Sequence, residues 1–159
     1  IGASTGGFCD YLLQNGVNRV IALDVGHGQL HPKIASDPRV IEMSGVNIRN
    51  VYAQDLPYKP NLIVSDVSFI SLTFVIPVIA RIAQNNANIV LLVKPQFEVG
   101  KGNLGKGGIV TDKDLRLKAL ENIKECAKNS GLKVVSTHES PIEGTHGNIE
   151  YLLYAQFNS

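Results

Sequence analysis

A chain of 159 residues, 44% hydrophobic and 18% charged, has the size and composition of one folded domain, able to bury roughly two thirds of its unfolded surface; disorder and repeat arrays are disfavoured. A net charge of +1 excludes a general polyanion-binding surface, so any nucleic-acid contact must rest on a local patch. Cys9 and Cys126 stand far apart and outside any CxxC or Cys/His spacing, which fits free thiols in a reducing cytosol. No secretory signal is visible. The apolar stretch 67–83 is interrupted by Ser68, Ser71, Thr73, Pro77 and Arg81, and reads as a buried helix, kinked or restarted near Pro77, rather than a membrane span.

The chain opens at Ile1, without methionine, directly on a glycine turn of the kind that follows a strand. This predicts a fragment, with most of the first strand of the sheet lying upstream. IGASTGGF and residues 9–15 form a strand end, a turn and a helix ending near Gly16. Such glycines let backbone N–H groups approach a carboxylate or phosphate at the helix head; a purely structural tight turn is the competing reading. The G-x-x-x-G-G spacing differs from the G-x-G-x-x-G of dinucleotide enzymes. Residues 19–24 read as a strand ending on Asp24, about 20 residues past the turn, where Rossmann-like folds grip ribose hydroxyls; the alternative is a solvated loop acid. His27 and His31 have metal-like spacing, but no carboxylate or cysteine completes a set and Pro32 interrupts the segment, so no metal site is predicted. Residues 40–43 form a further strand, and in the loop behind it Asn47 either meets an adenine edge or stabilises its own turn.

Residues 62–66, LIVSD, form a buried strand ending on Asp66, which either faces a ligand or caps the next helix. The central stretch is NIVLLVKPQFEVGKGNLGKGG, residues 88–108. Its β-branched-rich run 89–93 reads as a parallel strand covered on both faces. Pro95 ends the ladder and holds Lys94 extended at the strand's carboxyl edge, where open α/β sheets bind ligands. From Lys94 to Lys118, cations Lys94, Lys101, Lys106, Lys113, Arg116 and Lys118 outnumber Glu98, Asp112 and Asp114, which supplies the one candidate basic patch. Thr111 is the expected cap of a helix whose inward stripe is Leu117, Leu120, Ile123 and Ala127, stopped by Gly131. Residues 133–139 and 150–157 are strands joined by a loop too short for a crossover helix. The last strand is therefore expected to be antiparallel, which brings Glu150 to the edge that carries Asp66 and Lys94.

IGASTGGF, ALDVGHGQL, SDVSFISL, LVKPQFEVGKG and GNIEYLL, spread over nearly the whole chain, resemble the TlyA-type S-adenosylmethionine-dependent ribosomal RNA 2′-O-methyltransferases, relatives of FtsJ that are often labelled hemolysins. The resemblance implies an α/β, Rossmann-like class I methyltransferase sheet over residues 1–159, mostly parallel with an antiparallel C-terminal strand. It implies S-adenosylmethionine held by Gly2, Ala3, Ser4, Thr5, Gly6, Gly7, Asp24, Asn47 and Asp66. It also implies a Lys-Asp-Lys-Glu tetrad whose last three members fall on Asp66, Lys94 and Glu150 as catalytic residues. In the family the first lysine, and an S4-type RNA-binding domain, lie upstream of the glycine turn; neither is in this chain, which is expected to be weak or inactive alone. MSGVN, residues 43–47, departs from the Glu-Arg-Thr-Asn-like run of relatives, so Asn47 is the adenosine contact that carries over best. Ribosomal RNA or ribosomal subunits are the implied partners, with Lys101 and Lys106 embracing phosphate, in the cytoplasm and without stable membrane association. Two rivals stand beside this reading. A nicotinamide-dependent oxidoreductase is disfavoured by the glycine spacing and the lack of a Tyr-x-x-x-Lys pair, and a membrane-active hemolysin by the lack of a spanning or basic amphipathic surface helix.

Overall fold

The computed structural model describes residues 1–158. Short runs of Val, Ile and Leu make the strands, and one parallel pair joins β1 (Val20–Leu23) to β2 (Val40–Met43). A second sheet has the order β3-β4-β6-β5, in which β3 (Leu62–Ser65) and β4 (Asn88–Val93) are parallel. The C-terminal β6 (Tyr151–Phe157) runs antiparallel between β4 and β5 (Leu132–Glu139), as the short connecting loop requires. Helices α1 (Gly7–Gln14), α2 (Pro32–Ala35), α3 (Leu72–Ile82) and α4 (Lys113–Asn129) complete the layers. Ile89, Leu91 and Val93 of β4 are fully buried in one cluster with Val75, Ile76 and Ile79 of α3 and Ile123 of α4. Each such side chain contributes about 1.5–3 kcal/mol, so β4 is the best-anchored strand and its carboxyl end a firm platform.

Three local expectations shift. Helix α3 runs through Pro77 instead of restarting there: the missing N–H forfeits one bond, and burial of Val75, Ile76, Val78 and Ile79 around it offsets the loss. Asp112, not Thr111, caps α4, its carboxylate accepting from Asp114 N at 2.8 Å, a stronger acceptor for the positive helix head than a hydroxyl. Leu117 is exposed and Ala119 buried instead, because the inward face is centred toward Arg116, whose guanidinium donates to the carbonyls of Val110 and Thr111. Both cysteines are free, and burial pushes both thiols above their usual value of 9.0.

The two sheets meet at Ile1–Ala3. The Ile1 ammonium donates to Val64 O at 2.8 Å, Asp66 N donates to Ile1 O at 3.1 Å, and Ala3 N donates to Leu23 O at 3.0 Å. These bonds make residues 1–3 a short parallel bridge between β3 and β1. Behind the bridge the seam opens into an apolar cavity of about 130 Å³ bordered by Ile21, Leu23, Leu56, Ile63, Val64 and Ile82. Burial already lowers the Ile1 amino group below its usual 8.0, the response of a charge in an apolar place.

The head of α3 is tied to the segment after β4. Glu98 accepts from Ser71 Oγ at 2.6 Å and from Leu72 N at 2.8 Å. Burial raises the Glu98 carboxyl above its usual 4.5, and the bonds from Ser71 and Leu72 oppose that rise.

Two outcomes are expected. Extending the chain ahead of Ile1 with Ala-Leu-Val-Val should raise Tm by about 4 °C or more, because the extension removes a buried ammonium and pairs facing strand edges; Gly-Ser of the same length should not, and equal effects in calorimetry would contradict the seam's role. For Glu98, folding disfavours ionisation, so its contribution to stability falls as pH rises from 4.5 through the raised value. Thermal melts between about pH 4 and pH 8 should show this slope, and Glu98→Gln should flatten it.

Candidate active site

The register sets the site. Val93 of β4 lies opposite Tyr151 of β6, so the next residues beyond the ladder, Lys94 and Glu150, also face each other. Pro95 begins a short 3-10 turn, Pro95–Phe97, and leaves Lys94 extended at φ −112 and ψ 97, as the X-Pro restriction predicts. From there Lys94 Nζ reaches 2.6 Å from Asp66 Oδ1 and donates to Ser68 Oγ at 3.1 Å. The Lys94 side chain is only 14% exposed and that of Asp66 36%, so this charge-assisted contact is shielded on the lysine side and open on the other.

Glu150 takes a different partner. It is 5% exposed, and its Oε2 accepts from Gln96 Nε2 at 2.7 Å; among the described residues it forms no ion pair with Lys94. The lysine reaches across to β3, while Gln96, two positions on in the 3-10 turn, covers β6. The structure therefore joins Asp66 and Lys94 in contact and keeps Glu150 beside them on the adjacent strand.

The glycine turn packs on the same edge. Gly2 has φ +71, and a Cβ there would strike the Asp66 carbonyl, so this glycine serves close packing of the turn on β3. Gly6 N closes the turn onto Ala3 O at 2.9 Å, and Thr5 O accepts from His31 N at 3.0 Å. Gly6 precedes α1 with a left-handed φ of 103 and no side-chain cap, and Gly7 starts the helix. The first N–H groups of α1 thus have no side-chain acceptor, a setting that suits a carboxylate. Asp24 ends β1 with its carboxylate pinned by Ser4 N at 2.6 Å and Gly26 N at 3.0 Å. A small cleft there is lined by Ala3, Ser4, Asp24, Gly26, Glu42 and Ser44. Asn47 is exposed and caps the 3-10 turn Ile48–Asn50, accepting from Arg49 N at 3.0 Å, which matches the turn-stabilising alternative.

His31 Nδ1 accepts from Lys33 N at 3.1 Å at the head of α2, and among the described residues no group of three or more His, Cys, Asp or Glu has a metal-binding arrangement. Lys101 and Lys106 are exposed on a loop closed by Gly105 N donating to Ile109 O at 2.7 Å. The loop's end is fastened by Asn148, which accepts from Val110 N at 3.0 Å and donates to Gly108 O at 3.1 Å.

Sequence reasoning missed Ser68, which accepts from Lys94, Gln96, which donates to Glu150, and Phe69, which follows Ser68. Phe69 is 91% exposed with a left-handed φ of 63, and its ring sits 4.9 Å from that of Phe97. A phenylalanine in that backbone region is strained, and strain of this kind clusters at functional sites. The available signal was SDVSF itself, a polar residue and an aromatic placed directly after a strand-end acid.

Against known proteins, the FtsJ-like methyltransferase family model matches residues 1–157. The 16S/23S rRNA (cytidine-2′-O)-methyltransferase TlyA of Mycobacterium tuberculosis is 44% identical over 153 residues, covering 96% of this chain and 57% of that protein. Hemolysin A of Brachyspira hyodysenteriae is 46% identical over 155 residues, covering 97% of this chain and 65% of that one. The chain therefore spans about 57% to 65% of the length of these relatives. A hemolysin-type crystal structure from Lactococcus lactis superposes with a TM-score of 0.95 at 41% identity, over 98% of this chain and 75% of that one. An S-adenosylmethionine-dependent methyltransferase from Mesorhizobium loti shares the fold at a TM-score of 0.71 and 12% identity, over 98% and 88% of the two chains. No helix among the described residues is long and apolar enough to cross a membrane. With the model matched from end to end of a methyltransferase fold, the chain belongs to the FtsJ-like methyltransferase family.

Proposed function

We propose that the full-length protein is a cytoplasmic enzyme that methylates a ribose 2′-hydroxyl of ribosomal RNA, using S-adenosylmethionine. The observation that carries this reading is the Lys94–Asp66 contact of 2.6 Å at the strand edge, beside the glycine turn packed on Asp66. The name of the mycobacterial relative, a 16S/23S rRNA (cytidine-2′-O)-methyltransferase, supports the same substrate class, and the family match favours it over a nicotinamide enzyme.

The residues present suit the methyl donor. The uncapped head of α1, with the turn Gly2, Ala3, Ser4, Thr5, Gly6 and Gly7, would take its carboxylate. The cleft acids Asp24 and Glu42 match a cationic, diol-bearing molecule, and Asn47 and Asp66 lie on the loops at that edge. When bound, S-adenosylmethionine supplies a methyl group already activated on a sulfonium. What the protein must add is alignment and control of one proton. Asp66 Oδ1 and Ser68 Oγ hold the Lys94 ammonium, leaving one of its three N–H groups for an incoming 2′-oxygen. The Lys94 ammonium stabilises the developing alkoxide as the new O–C bond forms, and the hydroxyl proton passes to the Glu150 carboxylate. Glu150, on the facing strand, orients the hydroxyl and its proton.

Need for a 2′-hydroxyl selects RNA over DNA, and an accessible ribose requires a displaced nucleotide. The exposed ring of Phe69, which follows the Ser68 that accepts from Lys94, is a stacking surface for such a base. Lys101 and Lys106 contact backbone phosphate.

In the full-length protein, Lys94→Ala should lower methyl transfer from labelled S-adenosylmethionine to ribosomal subunits by about 100-fold or more, while the Kd for S-adenosylmethionine stays within about threefold. Transfer at near wild-type rate would remove Lys94 from the site. Mass mapping of 2′-O-methyl marks on rRNA from cells with and without the gene should show one or more marks lost.

A further inference from the structure

We infer that Gln96 is a positioning residue for methyl transfer, which keeps the Glu150 carboxylate off Lys94 so that the two acids of the site act separately; this rests on the placing of Glu150 in the site proposed above. A carboxylate as buried as that of Glu150, 5% exposed, is costly without a donor. Among the described residues its donor is the Gln96 amide at 2.7 Å. Gln96 is itself only 8% exposed, and among the described residues its Oε1 has no donor. A flipped amide would set oxygen against a carboxylate oxygen, so Glu150 alone fixes which way Gln96 points. The carboxylate is also walled by Gly144, where a Cβ would collide with Oε2, the oxygen that accepts from Gln96. Gly144 N is held by Asn148 O at 2.8 Å, so this wall does not simply yield.

The arrangement matters because of where Lys94 stands. By register it faces Glu150 across the strands, and its ammonium is bound to Asp66 and Ser68. Deprived of the Gln96 donor, the buried carboxylate has the Lys94 ammonium as its natural replacement, and would draw it from Asp66 toward β6. Gln96 and Gly144 thus divide the site, with one acid for the lysine and the other held in reserve for the hydroxyl.

The test is single-turnover methyl transfer by the full-length protein on ribosomal subunits. Gln96→Met, similar in length but with no donor, should slow transfer by about tenfold or more, with the Kd for S-adenosylmethionine unchanged. In a Glu150→Gln background it should add no further loss, whereas a general packing defect would add its full effect. Gly144→Ala, whose methyl pushes on the oxygen that accepts from Gln96, should show the same non-additivity and covers the case of a poorly folding Gln96→Met. Wild-type rates for both Gln96→Met and Gly144→Ala, or additive losses, would overturn the inference while a slow Glu150→Gln leaves the proposed site standing. A wild-type rate for Glu150→Gln would overturn both.

Discussion

The contact between Lys94 and Asp66 depends on two parallel strands ending together. Strand β4 is the most deeply buried in the sheet, and Pro95 stops it at a fixed residue, so the lysine emerges in one place and one direction. Strand β3 ends at the same edge, its last residue Ser65 paired with Leu91 two residues before β4 stops, and Gly2 lies so close to the Asp66 carbonyl that only glycine fits. The same packing that places the acid therefore places the turn expected to meet the methyl donor. Cofactor side and hydroxyl side of the proposed reaction share one wall.

That coupling extends through the loops. Glu98 fastens the start of α3 to the segment after β4, which locks the turn bearing Ser68 and Phe69 to the strand bearing Lys94. Asn148 fastens the lysine-bearing loop to the approach of β6, next to Glu150. The exposed loop bearing Lys101 and Lys106 is thus anchored at its Gly108–Val110 end to the sheet edge, an arrangement that lets an exposed loop adapt without disturbing the polar cluster. The seam behind Ile1–Ala3 opens into an apolar cavity that Ile1, Gly2 and Ala3 themselves line.

Much of this was readable in the sequence, for reasons that can be named. Strand identities and the antiparallel return of β6 followed from uninterrupted apolar runs and from a loop too short for a crossover. The meeting of Asp66 with Lys94 followed from both ending strands at one edge. What sequence could not supply was the choice among partners once side chains are long enough to have several. Lys94 faces Glu150 by register yet bonds Asp66, and Glu150 accepts from Gln96, a residue that looks like an ordinary turn glutamine in KPQFE. Asp24 illustrates the same limit: its place at the end of β1 was evident, but its engagement by Ser4 and Gly26 backbone is a matter of loop closure. The cap of α4 moved by one residue because Thr111 and Asp112 are adjacent candidates, and the helix dipole favours the acid.

The central claim is that the lysine held by Asp66 is the group that meets the reacting hydroxyl. A structure of the full-length protein with S-adenosylhomocysteine and an rRNA fragment bound tests it most directly. The account predicts the target 2′-oxygen within about 3.2 Å of Lys94 Nζ, with the Asp66 contact retained and the vacated methyl position in line behind that oxygen. A ribose seated elsewhere on the edge, with Lys94 Nζ more than about 5 Å from its 2′-oxygen and separated by no bridging water, would contradict it.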